Sequence, residues 1–277
     1  IEMDGPGIHR VPEHRRLFEI LSSHPRTLSV SGHTHFQRHW FFDDEHGYAP
    51  RHSPGLNQLH AAAPRRFPAP VHHHINSGTI SGSWYNGVLD ETGTPHTTMR
   101  DGAPNGYTLL RIDGAEYRAD YVPAREPDDH AINIHIASNT NGNTDGNTDD
   151  DALPAVLTRG RGDAKVTANV FNGAEGDDVM MRIRPAPDTG AGPTPWRAMA
   201  FAPGIDPLYK ELHEREGELP ASPLITGWGL PDPVASFHLW TGSIPSDLPV
   251  GTHIVEIRHT DMFGRTVTSR RSFRIVD

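Results

Sequence analysis

The chain opens with a pattern typical of a helix followed by a strand. Pro12 suits the first turn of a helix, where its missing N–H costs nothing, and apolar residues then recur from Leu17 to Leu21 with i, i+3, i+4 spacing. Serine and apolar residues alternate towards the end of residues 26–31, which predicts a short strand. This strand runs directly into Gly32-His33-Thr34-His35, so the sequence predicts one α/β unit up to this point.

The pattern weakens after this unit. Residues 36–70 show no clear period and are predicted to be a long loop region, whereas residues 71–84 are predicted to contain a strand and a turn. Residues 106–112 and 115–122 have the polarity of strands and flank Asp113-Gly114, a dipeptide typical of two-residue hairpin turns. The sequence therefore predicts a β-hairpin here.

The second half of the chain is rich in short strand patterns. Residues 138–151 form an acidic, low-complexity run without a large apolar residue, which predicts a linker or an exposed loop. A helix is predicted over residues 207–215. Short runs typical of the strands of a β-sandwich cover residues 166–171, 179–183, 197–201, 236–240, 253–259 and 266–275.

Together these patterns predict an α/β part followed by an all-β part. We assign residues 1–126 to the first domain, residues 127–155 to an acidic linker or loop, and residues 156–277 to a C-terminal β-sandwich domain. The length of 277 residues agrees with two domains.

Composition narrows the classes of function. Asp and Glu number 35 against 25 Lys and Arg, and the resulting net charge of −10 argues against a nucleic-acid-binding protein, which needs a basic face. No apolar stretch approaches the roughly 18 residues of a membrane span. The chain has no cysteine, which excludes disulfides and thiolate ligands, but it has 19 histidines. Because it begins at Ile1 without a Met or a leader, we expect a fragment or a processed chain.

The two histidines of Gly32-His33-Thr34-His35 are the sharpest candidates for chemistry. Residues i and i+2 leaving a strand point to the same side, so both imidazoles can reach one metal cluster. Imidazole is the commonest side-chain ligand for such ions, and α/β sheets usually bind ligands at the carboxyl ends of their strands. We predict that His33 and His35 are metal ligands; the alternative is a pair of ordinary loop histidines.

A second set of residues is predicted to line a substrate pocket beside these ligands. His72 and His74 share one face of a predicted strand, and we expect His33 and His35 to project into a cleft beside them. His39 and Trp84 are further candidates for the pocket. For all four residues the alternative is structural: a polar strand edge, a hydrogen-bonded core histidine or ordinary core packing.

Several stretches of the sequence resemble calcineurin-like metallophosphoesterases. The run PEHRRLFEILSSHPRTLSVSGHTH resembles the last βα unit of that superfamily, which ends in a Gly-His-x-His ligand block. The segments HHHINSGTISGSWYNG and DGAPNGYTLLRIDGAEYRADY, and the ending HLWTGSIPSDLPVGTHIVEIRHTDMFGRTVTSRRSF, resemble a bacterial branch with its own C-terminal domain. The resemblance implies that residues 1–126 are the closing part of an α/β/β/α metallophosphoesterase sandwich and that a β-sandwich domain follows.

The resemblance also implies a chemistry. The superfamily hydrolyses phosphate mono- or diesters through a dinuclear centre of divalent ions such as Zn, Fe or Mn, in which His33 and His35 would each bind one metal. The Asp-x-His, Gly-Asp and Gly-Asn-His blocks that normally precede these ligands do not occur before them in this sequence, so we expect this chain alone to be inactive.

The resulting expectations are a phosphate-ester substrate, no nucleic-acid partner, no membrane span and a periplasmic or secreted location. The alternative is a non-catalytic chain whose β-sandwich binds a glycan or a protein.

Overall fold

The fold is mostly β-strand with little helix. The structure, a computed structural model, describes residues 14–24, 27–42, 72–89, 92–95, 97–127, 129–137, 155–160, 162, 164–185, 190, 192–218, 225–226 and 229–277. The predicted linker at residues 138–151 and most of the predicted loop at residues 36–70 lie outside the described residues.

Two helices and a series of short strands make up the regular structure of the described residues. The helices are α1 His14–Ser22 and α2 Pro207–Glu218. The strands are β1 Leu28–Ser31, β2 Arg38–Phe42, β3 His72–Asn76, β4 Gly87–Val88, β5 Gly106–Asp113, β6 Glu116–Pro123, β7 Ile132–Ile136, β8 Ala155–Thr158, β9 Ala164–Val170, β10 Asp178–Arg184, β11 Arg197–Ala198, β12 Ala200–Phe201, β13 Gly204–Ile205, β14 Ile225–Thr226, β15 Ala235–Ser236, β16 Leu239–Ile244, β17 Gly251–Thr260 and β18 Thr266–Val276. No helix among these residues is long and apolar enough to cross a membrane.

The first sheet has three strands in the order β1-β3-β2. β1 and β3 are parallel, with Leu28 opposite His73, and β2 is antiparallel to β3. Leu21 of α1 packs against Trp40 and Phe42 of β2, so the end of the helix contacts this sheet, whereas Leu17 and Ile20 of the same apolar stripe are exposed. This arrangement agrees with the predicted helix–strand unit and places the His33–His35 loop directly after β1.

The prediction of a loop from residue 36 onwards was wrong for β2, Arg38–Phe42. Trp40 and Phe42 are buried, and side chains on both faces of the strand are covered, so it lacks the alternation of polar and apolar residues that marks a half-exposed strand. The tertiary environment on both faces, which the sequence pattern does not reveal, makes this segment a strand.

Two larger sheets form most of the remaining structure. One has five strands in the order β11-β10-β17-β18-β8, and the other has four in the order β12-β16-β9-β7. Buried side chains of both sheets form a single hydrophobic cluster, which includes Ile183 and Phe273 from the first sheet and Val166 and Trp240 from the second. The inner faces of the two sheets therefore share one core.

One strand of the four-stranded sheet lies inside the segment predicted as a linker. β7, Ile132–Ile136, pairs antiparallel with β9 and buries Ile132, Ile134 and Ile136, whereas the residues between them are only partly buried. The segment assigned to a linker or loop, residues 127–155, therefore contains a strand of the four-stranded sheet, and the domain bounds stay a prediction. The alternation of isoleucine with polar residues was the available signal, and it was obscured by the acidic run that follows.

Two segments predicted as single strands are each divided between sheets. Residues 197–201 form β11, which pairs with β10, and β12, which pairs with β16. The buried Met199 separates them, so the chain passes from one sheet to the other at this residue. Residues 236–240 likewise contain the end of β15 and the start of β16, separated by a bend at Phe237 and His238.

The predicted hairpin is present as the two-stranded sheet of β5 and β6, in which Asp113 lies opposite Glu116. A second two-stranded sheet joins β4 to β14, so residues 87–88 pair with residues 225–226. The predicted helix at residues 207–215 is confirmed as α2, which continues to Glu218. The two sequence halves are thus joined by backbone pairing as well as by side chains.

Candidate functional site

The loop that follows β1 presents its two histidines away from the protein interior. Thr34 is buried, and its hydroxyl accepts a 2.6 Å hydrogen bond from the Asn76 side-chain amide of β3. His33 is exposed and His35 is partly buried. The inward anchoring of Thr34 therefore leaves the two predicted metal ligands on the outer side of the loop.

His35 is oriented by a second loop, which contains Gly82 and Trp84. The imidazole stacks on the Trp84 indole with ring centroids 4.0 Å apart and an interplanar angle of 16°. His35 Nδ1 also donates a hydrogen bond to the Gly82 carbonyl oxygen, which leaves the lone pair on Nε2. Metal-binding histidines commonly donate their second ring N–H to a backbone carbonyl in this way, so the residue fits the role of a ligand.

The charge state of His35 suits the same role. Burial lowers the pKa of His35, the hydrogen bond to Gly82 opposes that shift, and the positive charges of His33 and Arg100 lower the pKa further. The neutral imidazole that results at pH 7 is the form that binds metal ions.

Backbone strain is concentrated in the same two loops. In the part of the chain that the structure describes, the only non-glycine residues with positive φ are His33 at 87°, His35 at 57°, Trp84 at 58° and Tyr85 at 60°. L-residues rarely adopt this conformation, which costs energy and persists where the surroundings enforce it, often at functional sites. The stacked His35 and Trp84 are thus held at a strained pair of facing loops.

His72 and His74 lie in a different environment, between β3 and β1. Both are buried, and a ladder of hydrogen bonds joins their four ring nitrogens to the hydroxyls of Thr27, Ser29 and Ser31 at 2.6–2.9 Å. The two residues therefore share one face of the strand, as the alternation predicts. Their contacts hold β3 to β1, and their assignment to a substrate pocket stays a prediction.

His39 belongs to a chain of hydrogen bonds that crosses the interior. Asn172 Oδ1 accepts from Gln37 Nε2 at 3.1 Å and from His39 Nε2 at 3.1 Å. His39 Nδ1 can then accept from His73 Nε2 at 2.9 Å, and His73 Nδ1 from the Tyr117 hydroxyl at 2.5 Å. Every donor in this chain finds an acceptor while both histidines are neutral.

Burial favours that neutral arrangement. It lowers the pKa of His39 to about 4, and the hydrogen bond that His39 donates to Asn172 opposes this shift only in part. Burial also lowers the pKa of His73 well below its usual value, helped by the neighbouring histidines. The Tyr117 hydroxyl keeps its proton because burial raises its pKa. Apart from His39, these residues were not selected from the sequence, because their partners lie far away along the chain.

A second buried network centres on Asp101, which was also not selected from the sequence. Its carboxylate accepts from the backbone N–H of Gln37 at 2.6 Å, from that of Ala103 at 3.1 Å and from His238 Nε2 at 2.9 Å. His238 Nδ1 contacts Asn169 Oδ1 at 2.7 Å. Both ring nitrogens of His238 thus face oxygen atoms of buried side chains.

The Asp101 network continues to the start of α2. Asn169 Nδ2 donates to the Asp101 carbonyl oxygen at 3.1 Å and to Asp206 Oδ2 at 2.9 Å. Asp206 Oδ1 accepts from the backbone N–H of Tyr209 at 2.8 Å, which makes Asp206 the N-cap of the helix that begins at Pro207. Burial raises the pKa of Asp206, although its hydrogen bonds to Tyr209 and Asn169 oppose the shift.

The described residues do not complete a metal centre. No group of three or more His, Cys, Asp or Glu side chains within the described ranges is placed to hold a metal ion. The structure does bring together His35 and Trp84, two of the residues selected from the sequence. His39, His72 and His74 instead form part of the networks between strands.

Comparison with known families gives a match over most of the chain. Residues 74–267 match the family described as the C terminal of calcineurin-like phosphoesterase. The matched range includes Trp84 and both sides of the predicted linker, and it begins after His33 and His35. A search of curated proteins finds no match.

Proposed function

This chain belongs to the family formed by the C-terminal part of calcineurin-like phosphoesterases, and on that premise we propose that it is part of a metal-dependent phosphoesterase acting on phosphate mono- or diesters. The observation that carries the proposal is the orientation of His35. Its Nδ1 is committed to the Gly82 carbonyl and its ring is stacked on Trp84, in a strained loop at the end of β1.

The proposed roles follow from this placement. His33 and His35 would each bind one ion of a dinuclear centre of Zn, Fe or Mn, whose further ligands are not found among the described residues. Such a pair of ions supplies charge stabilisation to the attacking and leaving oxygens of a phosphate ester. Trp84 would form a wall of the substrate pocket, with His39, His72 and His74 as further pocket residues.

The proposed fold is consistent with these roles. We place α1 and the sheet of β1 to β3 in the closing part of an α/β/β/α sandwich, because a helix precedes parallel strands there and packs on them. We place the five- and four-stranded sheets in a β-sandwich, because one hydrophobic cluster contains buried residues of both.

The test measures metal binding and turnover in parallel. Isothermal titration with Zn, Mn or Fe(II) is expected to show weak binding by this chain, because the described residues place too few ligands together. His35→Ala is expected to weaken that binding at least tenfold, since it removes a ligand nitrogen that no neighbour replaces. His24→Ala, which removes an exposed histidine just after α1, is the matched control and is expected to change little.

Hydrolysis of a chromogenic phosphate ester tests the proposed phosphoesterase reaction. The product of the complete gene is expected to hydrolyse it only with divalent metal present and to lose most of this activity on His35→Ala. The 277-residue chain is expected to show little turnover. Equal metal affinity and equal turnover of the His35→Ala and His24→Ala proteins would contradict the proposed ligand.

A further inference from the structure

The outer face of the five-stranded sheet carries a concentration of positive charge. Alternate residues of a strand point to the same side, so one face of β10, β17 and β18 can be assigned from the strand register. Its arginines, here called the arginine face, are Arg182, Arg184, Arg258, Arg270 and Arg274. The acidic residues at outward positions of the same strands are Asp178 and Glu256, so five positive charges stand against two negative ones, a local excess of +3. The chain as a whole has a net charge of −10, so this face differs in sign from the rest of the molecule.

The ion pairs with Glu256 use only some of the N–H donors of these arginines. The Glu256 carboxylate is buried and accepts from Arg182 at 2.5 Å, from Arg270 at 2.7 Å and from Arg184 at 3.2 Å. Each guanidinium has five N–H donors, whereas one carboxylate offers about four lone pairs. The Arg184 and Arg270 side chains remain 46% and 64% exposed, so their other donors face solvent.

The buried Glu256 also keeps three of these arginines in place. Burial alone would raise the pKa of Glu256, but the hydrogen bonds from Arg182, Arg270 and Arg184 outweigh it and lower the pKa. The ionised carboxylate therefore holds the three guanidiniums as a cluster before any ligand arrives. Such preorganisation reduces the entropy that binding must overcome.

The arrangement suits an extended anionic chain. Arg258 lies opposite Thr268, and Arg274 is six residues further along β18, a distance of about 20 Å at roughly 3.4 Å per residue. The exposed hydroxyl of Ser272 lies between these positions on the same face, and that of Thr268 lies beside Arg258. Guanidinium groups bind sulfate and phosphate oxygens in pairs, and hydroxyl groups can bind those of a sugar.

The aromatic residue at this face favours a glycan over a nucleic acid. The guanidiniums of Arg182 and Arg258 lie 4.4 Å and 4.6 Å from the centre of the Trp196 ring. Single-stranded nucleic acids are usually bound by stacking bases on aromatic rings. The guanidiniums of Arg182 and Arg258 already cover the ring of Trp196, so a base cannot stack there. A sheet face also lacks the projecting element that enters a groove of duplex DNA.

We propose that the arginine face binds an anionic polysaccharide, whose sulfate, phosphate or carboxylate groups pair with the guanidiniums and whose hydroxyls contact the serine and threonine side chains between them. The proposal stands independently of the metal centre, since it rests on another surface of the chain. Its partner is a polymer that carries charge along its length.

The test uses the whole chain and dextran sulfate as the probe, with neutral dextran of equal length as the negative control. Arg184→Gln together with Arg274→Gln is expected to weaken binding at least tenfold at low salt and to reduce its dependence on salt concentration. The corresponding lysine variant, Arg184→Lys with Arg274→Lys, retains the charges but not the paired guanidinium contacts, and is expected to recover only part of the affinity. Thermal unfolding of each variant checks that the fold is kept.

A matched control comes from the β5–β6 hairpin. Arg111 and Arg118 are 54% and 45% exposed and pair with the buried Asp120, which also keeps Arg265 as a partner. Arg111→Gln with Arg118→Gln therefore removes the same charge from a similar setting. It is expected to reduce the affinity by less than threefold.

Two outcomes would overturn the proposal. One is an equal loss of affinity in the control variant and in the Arg184→Gln, Arg274→Gln variant, which would show a nonspecific effect of charge. The other is tighter binding, at equal anionic charge, to single-stranded DNA or to phosphatidylglycerol vesicles than to dextran sulfate. Selective binding of dextran sulfate, lost only in the first variant, supports the proposal.

Discussion

At the scale of single residues, the left-handed backbone of non-glycine residues in the described ranges is confined to the loop of the candidate metal ligands and the loop that faces it. Left-handed conformations of His33, His35, Trp84 and Tyr85 each cost of the order of 1–3 kcal/mol. The Gly82 carbonyl and the stacked rings of His35 and Trp84 link the two loops, so each loop helps to hold the other. Rigid positioning of this kind is what a metal ligand requires.

Gly82 provides a test of how tightly the second of these loops is packed. Its φ of 51° suits glycine, and a Cβ added there would meet the side chains of Asn105 and Thr97. We expect Gly82→Ala to lower the free energy of unfolding by about 2–4 kcal/mol, the sum of a left-handed penalty and overpacking. Urea denaturation measures the change.

Gly93→Ala is the control for the backbone penalty alone, because Gly93 has a φ of 76° and nothing lies within 4 Å of an added Cβ. We expect a loss of about 1 kcal/mol in this variant. If the two substitutions were equally destabilising, the close approach at Gly82 would have no energetic role.

At the scale of elements, buried polar residues connect helices and strands that the hydrophobic pattern treats as separate. Asp206 caps α2 and at the same time accepts a hydrogen bond from Asn169 of β9. The start of the helix is therefore fixed to the four-stranded sheet by a single carboxylate. The Asp101–His238 pair extends the connection to the loop before β2 through Gln37.

Substitution of Asp206 separates its role as helix cap from its contact with Asn169. Asp206→Ala removes the N-cap and an acceptor from a buried amide, so we expect the free energy of unfolding to fall by about 2–4 kcal/mol. Asp206→Asn keeps a side-chain oxygen for the Tyr209 N–H but turns an amide donor towards Asn169 Nδ2, so we expect a smaller loss of about 1–2 kcal/mol. Both values come from urea denaturation, and an equally large loss in both variants would indicate that the contact with Asn169, not the cap, is what matters.

At the scale of the whole molecule, several neutral histidines contribute to stability in a pH-dependent way. Burial lowers the pKa values of His39, His72 and His135 to about 4, compared with 6.5 for an unperturbed histidine. Between these two pH values the unfolded chain binds more protons than the folded chain. Stability is therefore greatest above pH 6.5 and falls as the pH is lowered towards 4.

The expected fall in stability at low pH is large enough to measure. Each such histidine changes the unfolding equilibrium constant by up to about tenfold per pH unit within this window. We expect the urea midpoint to fall steadily from pH 7 to pH 4.5, and we expect His135→Gln to make the decline less steep. His24→Gln controls for the number of histidines, and an unchanged slope in the His135→Gln protein would contradict the assignment.

The sequence by itself determined the local elements and the family. Helical spacing located α1 and α2, the Asp113-Gly114 turn located the β5–β6 hairpin, and strand patterns located most of the larger sheets, because these signals depend on neighbouring residues. The quoted motifs also pointed to the family that the match over residues 74–267 shows. They selected His35 and Trp84, which the structure brings into contact.

Only the tertiary structure decided which polar residues meet. The hydrogen bonds that join His39 to Asn172 and Asp101 to His238 connect residues 133 and 137 positions apart, and no local period encodes such partners. The strand β2 also depends on tertiary contacts, because both of its faces are buried and its sequence therefore lacks an alternation of polar and apolar residues. The place of β7 in the sheet likewise depends on its pairing with β9. Hydrophobic periodicity records which side of an element is buried, whereas the identity of the opposing surface is fixed only when the elements pack together.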